Sequence, residues 1–311
     1  MKPRLYIPTI LLALFFIADY FFIIRPSNNL SSNINSATIS REDEAYVLPV
    51  LESNYYPLLD TTIPRLESNA RSALVFDLGT GKDLYSKNTD SKLPIASLTK
   101  ILTAITILDN FNLNDIVIVS SSSIRADGEK QDLYAGEKIS VLGLLEMMLI
   151  QSSNDSAYAI AEHGKNIGID LVKKMNERAY LLGMKNSVFY DPAGLNDNGY
   201  STAEDLKKLL THSIRYPEIW QITSNREKNI QSSDGLFSHV SKNTNKLFDL
   251  IPGIYGGKTG YTEEALGCMI LLVDIQGQND TKLISIILGS PERFADTKRM
   301  IDWTLSAYRW R

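Results

Sequence analysis

The chain has 311 residues, 44% of them apolar, and a formal net charge of −4. That length accommodates one large or two smaller domains with an ample core. The slightly acidic balance, with no basic run, removes any electrostatic case for nucleic-acid binding. A single cysteine, Cys268, excludes an intramolecular disulfide. It sits in the apolar run Leu266-Gly-Cys-Met-Ile-Leu-Leu-Val273 and reads as a buried structural thiol. His163, His212 and His239 are scattered without ligand spacing, so neither a metal nor a cofactor is expected.

Residues 5–24 are mostly apolar, interrupted by Pro8, Thr9, Asp19 and two tyrosines and preceded by Lys2 and Arg4. About twenty helical residues span roughly 30 Å, the thickness of a bilayer's hydrocarbon core. Asp19 would cost about 2.5–3.5 kcal/mol at mid-membrane and less near the outer end, where it falls. Phe16-Ile17-Ala18 lacks the small-x-small pattern of a cleavage site. Residues 1–26 therefore read as an uncleaved anchor in preference to a signal segment or a buried helix. Lys2, Arg4 and the amino terminus outweigh Arg25, which keeps the N-terminus cytoplasmic. The expected location is the cell membrane through a single N-terminal pass with an extracytoplasmic folded part, or a secreted protein if the segment is cleaved.

Residues 27–40 are uncharged and rich in Ser and Asn, as in a flexible tether. The tether is assigned to residues 27–68 and the folded domain to 69–311. Ala73-Leu-Val-Phe-Asp-Leu78, Gly79-Thr-Gly81 and Lys82-Asp-Leu-Tyr-Ser86 predict a strand, a turn and a returning strand. Leu98, Ile101, Leu102, Ile105 and Leu108 then repeat at helical spacing. Ser140 caps a second predicted helix through Met148, and a third follows Asp155. Ser201-Thr-Ala-Glu204 is a capping box opening a helix that carries Leu206, Leu209 and Leu210. Strands are predicted at Met269–Ile275 and Lys282–Leu288, and a last helix from Phe294 to Tyr308. Strands at both ends with helices between imply an α/β chain of the α+β kind, an antiparallel sheet completed by sequence-distant strands with a helical insert.

Three short motifs carry chemistry. Ser97-Leu-Thr-Lys100 puts a hydroxyl and an amine three residues apart, on one face at the first turn of the predicted helix. The positive end of the helix dipole favours negative charge developing at Ser97. The competing reading makes Ser97 an N-cap and Lys100 a solvated charge. Ser152-Ser-Asn154 lies in a short loop between two apolar helices, where it could face a cleft or merely cap the second helix. Lys258-Thr-Gly260 is the most specific of the three. Its setting, Gly256-Gly257-Lys-Thr-Gly260, permits the close backbone approach needed where a substrate pairs with a strand edge. A phosphate loop is ruled out because its first glycine would fall at Pro252 and no apolar helix follows.

In this order the three motifs are those shared by penicillin-binding proteins and class A β-lactamases. From about Ser72 to Tyr308 the chain resembles the low-molecular-weight penicillin-binding proteins, the D-alanyl-D-alanine carboxypeptidases of serine peptidase family S11. Pro94-Ile-Ala-Ser-Leu-Thr-Lys-Ile-Leu-Thr-Ala104, Leu149-Ile-Gln-Ser-Ser-Asn-Asp155, Asp191-Pro-Ala-Gly-Leu195, Ser201-Thr-Ala-x-Asp-Leu206, Asn243-Thr-Asn-Lys-Leu247 and Gly257-Lys-Thr-Gly-Tyr-Thr262 carry the likeness. Ser153 departs from the glycine frequent in the family. The resemblance implies a β-lactamase/transpeptidase-like fold, with an antiparallel sheet flanked by helices and a helical lobe. It implies removal of the terminal D-alanine from peptidoglycan stem peptides through a Ser97 acyl-enzyme, with β-lactams as covalent inhibitors. Lys100 would be the base, its pKa lowered by burial and by the charge of Lys258. Ser152 would relay a proton, and Asn154 would hold the substrate amide. Lys258, Thr259, Gly260 and Tyr261 would bind substrate, with the N–H groups of Ser97 and Tyr261 as the oxyanion hole. Arg215 and Arg293 are candidates for gripping the terminal carboxylate.

Three alternatives stand beside this reading. An endopeptidase of cross-linked peptidoglycan would differ only in cleft contacts. A class A-like β-lactamase needs a Glu-x-x-x-Asn segment on a later loop, and Glu162-His-Gly-Lys-Asn166 comes too soon after Asn154. A non-catalytic wall-binding scaffold sits poorly with three intact motifs.

Overall fold

The computed structural model describes residues 56–125, 132–275 and 282–310, all within one unit, Leu48–Arg311. The expected anchor and the tether up to residue 55 lie outside the described residues. Among the described residues no helix is long and apolar enough to cross a membrane.

In chain order the elements are β1 (Pro57–Leu59), β2 (Ser72–Asp77), β3 (Asp83–Lys87), α1 (Thr99–Asn110), β4 (Ile116–Ile118), β5 (Lys138–Ser140), α2 (Val141–Ile150), α3 (Asn154–Asn166), α4 (Leu171–Leu181), α5 (Ala203–Ser213) and α6 (Pro217–Ser224). They continue with β6 (Glu227–Gln231), β7 (Ser238–Lys242), β8 (Ile254–Thr262), β9 (Leu266–Asp274), β10 (Lys282–Ser290), α7 (Arg293–Ala307) and β11 (Tyr308–Trp310). The main sheet has the order β3-β2-β10-β9-β8, antiparallel throughout. N-terminal strands thus pair with C-terminal ones, as expected from the strand runs at the two ends of the chain.

Successive residues of a strand point to opposite faces, and the central strands bury both. Leu74, Phe76, Cys268, Ile270, Leu272, Ile284 and Ile286 join the large core shared with the helical lobe. The alternate residues Ala73, Val75, Leu283 and Ile287 join a second core with Met300 of α7. Met269, Leu271 and Val273 close over Ile301. This two-sided burial is why β9 and β10 read as unbroken apolar runs. Each buried Leu or Ile contributes about 1.5–3 kcal/mol.

Helix α1 is more buried than its sequence periodicity implies. Every residue from Thr99 to Ile107 is buried, including Lys100, Thr103 and Thr106. The threonines are satisfied: Thr103 Oγ1 donates to the distant Pro192 O, and Thr106 Oγ1 to Leu102 O one turn back. A helix packed on all sides needs no polar stripe, so the pattern at 98, 101, 102, 105 and 108 marks only part of its buried surface.

Two expectations are corrected. The fold begins before residue 69, because Pro57–Leu59 pairs with Tyr308–Trp310. Trp303 Nε1 also donates to Pro64 O, which ties the end of the assigned tether to α7. The cap of α5 is Thr202, whose hydroxyl accepts from Asp205 N at 3.0 Å. Ser201 sits one residue outside, exchanging backbone hydrogen bonds with Leu93.

Candidate active site

Ser97 lies in a 3₁₀ turn, Ala96–Leu98, that runs straight into α1. Neither the turn nor α1 has a side-chain N-cap, so the Ser97 hydroxyl is not consumed as one. Ala96 enters the turn with a positive φ of 47°. Backbone held in the left-handed region persists only where its surroundings enforce it, commonly at functional sites.

Lys100 is fully buried, which overturns the alternative of a solvated charge. Its Nζ stands 2.7 Å from Ser97 Oγ, 2.7 Å from Asn154 Oδ1 and 2.9 Å from Ala193 O. A neutral amine has two N–H bonds and one lone pair. Two of these neighbours are pure acceptors and the third is a hydroxyl, so the arrangement suits a neutral Lys100 receiving the Ser97 proton. Burial pushes its pKa down to about 7, with the Asp191 carboxylate opposing that shift.

Lys258, on the edge strand β8, is also buried. Its Nζ donates to Ser152 Oγ at 2.7 Å and to Thr259 O at 2.9 Å. Burial, then the charges of Lys100 and Arg293, hold it well below the usual lysine value. Burial is the largest cause at both lysines, and the repulsion between them is mutual, each charge disfavouring the other.

Ser152 takes a positive φ of 70° in the α2–α3 loop. Ser153 caps α3 by accepting from Ser156 N at 3.2 Å. The cap reading and the cleft reading of this motif are both correct, for different residues, because Ser152 and Asn154 line the cleft. Glu162, on α3, accepts from the Ser120 and Ser122 hydroxyls and lies outside the cleft lining. No deacylating role follows from the Glu162–Asn166 segment.

Glycine gives the close approach where β8 meets the nucleophile. A Cβ on Gly260 would stand 3.0 Å from Ser97 N and 3.1 Å from Ile95 O. Gly194, with φ +78°, passes closer still: a Cβ there would fall 2.0 Å from Ala96 O.

The cleft, about 380 Å³, is lined by Ser97, Ser152, Asn154, Thr259, Gly260, Tyr261 and Arg293, with Lys100 and Lys258 buried beneath it. Arg293 opens α7 and lies over the Tyr261 ring, 5.8 Å from its centroid. Arg215 is not brought here. It is exposed in the turn between α5 and α6, beyond the last residue of a helix that packs on β2 and β10. A slightly larger cavity of about 410 Å³ beside Trp303 and Tyr85 holds no buried lysine. Volume alone does not identify the site.

Sequence reasoning assigned no role to Asp191. Its Oδ1 accepts from the N–H groups of Ala193, Gly194 and Leu195, and its Oδ2 accepts from Asn196 N. This fixes the turn that presents Ala193 O to Lys100. The Asp-Pro-x-Gly string is a turn signature with that mechanism built in, and it could have been read so. Thr244, whose hydroxyl is 2.6 Å from that of Thr259, Gln151 and Asp132 also line the cleft.

Burial pushes the Cys268 thiol up to about 11, in keeping with a structural role.

Comparison with known proteins agrees with this geometry. The pattern of the D-alanyl-D-alanine carboxypeptidase family, peptidase family S11, matches residues 60–292. That match starts earlier than Ser72 and stops short of Tyr308. The chain is 34% identical over 253 residues to the D-alanyl-D-alanine carboxypeptidase DacF of Bacillus subtilis, covering 78% of this chain and 64% of that protein. It is 35% identical over 238 residues to a D-alanyl-D-alanine endopeptidase of Pseudomonas aeruginosa, covering 75% and 76%. The chain thus spans just under two thirds of the Bacillus protein's length. Among solved structures, the Streptomyces K15 DD-transpeptidase superposes with a TM-score of 0.71 at 26% identity, covering 78% of this chain and 100% of that one. The fold is that of the DD-transpeptidases and penicillin-binding proteins, and the chain belongs to the D-alanyl-D-alanine carboxypeptidase family of serine peptidases, S11.

Proposed function

We propose that the protein is a serine-type D-alanyl-D-alanine carboxypeptidase acting on peptidoglycan stem peptides. The observation that carries this is the buried Lys100 amine 2.7 Å from Ser97 Oγ, in a setting that holds its pKa near 7. Ser97 Oγ attacks the carbonyl carbon between the two D-alanines while its proton passes to Lys100. The N–H groups of Ser97 and Tyr261 stabilise the oxyanion. Because Lys258 donates to Ser152 Oγ, the Ser152 proton is left to point into the cleft. It passes to the leaving amine as the C–N bond breaks, Ser152 takes a proton from the Lys258 ammonium in return, and terminal D-alanine departs. Water then hydrolyses the Ser97 ester, its proton passing through Ser152 to Lys258 while Lys100 returns its own to Ser97 Oγ. Asn154 and Thr259 orient the peptide, and Arg293 faces the terminal carboxylate.

A second reading is cleavage of D-alanyl cross-links, favoured by relatives of equal similarity that carry the name endopeptidase. The N-terminal segment at residues 5–24 anchors the domain outside the cytoplasm, a reading that rests on its length and its Lys2/Arg4 flank.

The test is D-alanine release from a pentapeptide ending in D-Ala-D-Ala, set against cleavage of a cross-linked dimer, with benzylpenicillin acylation followed by intact mass. Release from pentapeptide and a long-lived adduct on Ser97 are expected. Well-folded protein giving neither product nor adduct overturns the proposal. Preferred cleavage of the dimer selects the endopeptidase, and rapid adduct turnover selects a β-lactamase.

A further inference from the structure

Among the described residues lining the cleft, Asp132 is the one acid and the half-buried Arg293 the one base. They belong to opposite walls. Arg293 stands on the sheet side, over Tyr261 of β8. Asp132 stands on the lobe side, where its backbone N–H donates to Asp155 Oδ2 at 3.0 Å, three residues past Ser152.

The segment carrying Asp132 is clamped at both ends. Asp155 is buried, and its carboxylate takes the Asp132 N–H. Leu133 is buried in the core. Tyr134 N donates to Glu137 Oε2 at 3.1 Å, and the fully buried Glu137 is itself paired with His239 at 2.6 Å. A side chain that is half-exposed but mounted on a fixed backbone is what a recognition contact needs. Burial raises the pKa of Asp155, and the negative charge of Asp132 adds to that shift.

This inference rests on the carboxypeptidase reading. With the terminal carboxylate drawn to Arg293, the acyl-donor part of the peptide leaves Ser97 towards the lobe wall. We infer that Asp132 is a specificity residue that selects acyl-donor peptides carrying a free primary ammonium on the side chain preceding D-Ala-D-Ala. A neutralised side chain at that position loses the contact.

The experiment compares two peptides, one with lysine and one with Nε-acetyl-lysine before D-Ala-D-Ala, on the full chain. The wild type is expected to favour the free ammonium by about fivefold in kcat/KM, the scale of a partly exposed ion pair. That ratio should shrink with added salt. Asp132→Asn should bring the ratio to about one, and Asp132→Glu should retain a preference. A ratio of one in active wild type, or an unchanged ratio in Asp132→Asn, overturns the inference while leaving the carboxypeptidase reading intact. No release from either peptide overturns both. Thermal melting of each variant separates loss of fold from loss of selectivity.

Discussion

A Cβ placed on Gly260 would stand 3.0 Å from the backbone nitrogen of Ser97. The edge strand and the nucleophile's turn thus approach closely, with the Ala96 Cβ beside the Ser97 nitrogen at the contact. One wall of the cleft therefore sets the position of the nucleophile itself.

Gly260→Ala should displace that contact by a few tenths of an ångström. Acylation by benzylpenicillin is expected to slow about 10- to 100-fold, since small misplacement of reacting groups is costly. Overpacking should lower stability by about 1–3 kcal/mol. Stopped-flow acylation alongside urea unfolding tests both, and wild-type acylation in this variant would refute the contact's importance.

Lys100 should set the pH dependence. Acylation is expected to rise through about pH 7 as the buried amine loses its proton. Its pKa in the folded protein lies below its ordinary value of 10.5, so between the two the unfolded chain binds the extra proton. Stability should therefore rise with pH from about 7 to 10.5, by up to about 1.4 kcal/mol per unit. Lys100→Ala should remove its share of that slope, leaving the share of Lys258, and slow acylation about 10²- to 10⁴-fold. Unfolding curves across pH, paired with acylation rates, measure both effects.

Asp191 acts on Lys100 in two ways, through its charge and through the turn it holds. Its carboxylate raises the Lys100 pKa, so Asp191→Asn should move the acylation midpoint to lower pH. Asp191→Ala leaves the N–H groups of Ala193, Gly194, Leu195 and Asn196 without their acceptor. A stability loss of about 2–4 kcal/mol is expected. A midpoint that stays fixed in Asp191→Asn would contradict the electrostatic part.

Ser152 and Ser153 should separate function from stability. Ser152→Gly removes the hydroxyl that Lys258 holds but suits the positive φ, so stability should hold or rise by about 1 kcal/mol while acylation falls. Ser153→Ala removes the α3 cap and should cost about 1 kcal/mol with acylation nearly unchanged. Melting temperature and acylation rate should move in opposite senses across this pair.

Much of this was legible in the sequence because it is local. The apolar alternation of β2, β9 and β10, the helical spacing after Pro94 and the serine–lysine interval are set by backbone geometry within a few residues. The order of the three motifs gave the family, and the strand runs at the two ends gave an antiparallel sheet. The short pairings β1–β11, β4–β5 and β6–β7 were not visible, since three- to five-residue strands carry too little periodicity.

What only the tertiary structure decided is what depends on dielectric and on contacts between distant segments. The sequence placed Lys100 beside Ser97, but its loss of charge comes from complete burial beneath a turn nearly a hundred residues on, which supplies Ala193 O. The two arginines were equivalent in sequence. Arg293 is at the cleft because β9, β10 and α7 pack together, and Arg215 is exposed because α5 carries its end away. Spacing along the chain fixes which groups are neighbours on one helix. Desolvation and cross-chain contact, which set pKa and cleft membership, exist only once the chain has closed on itself.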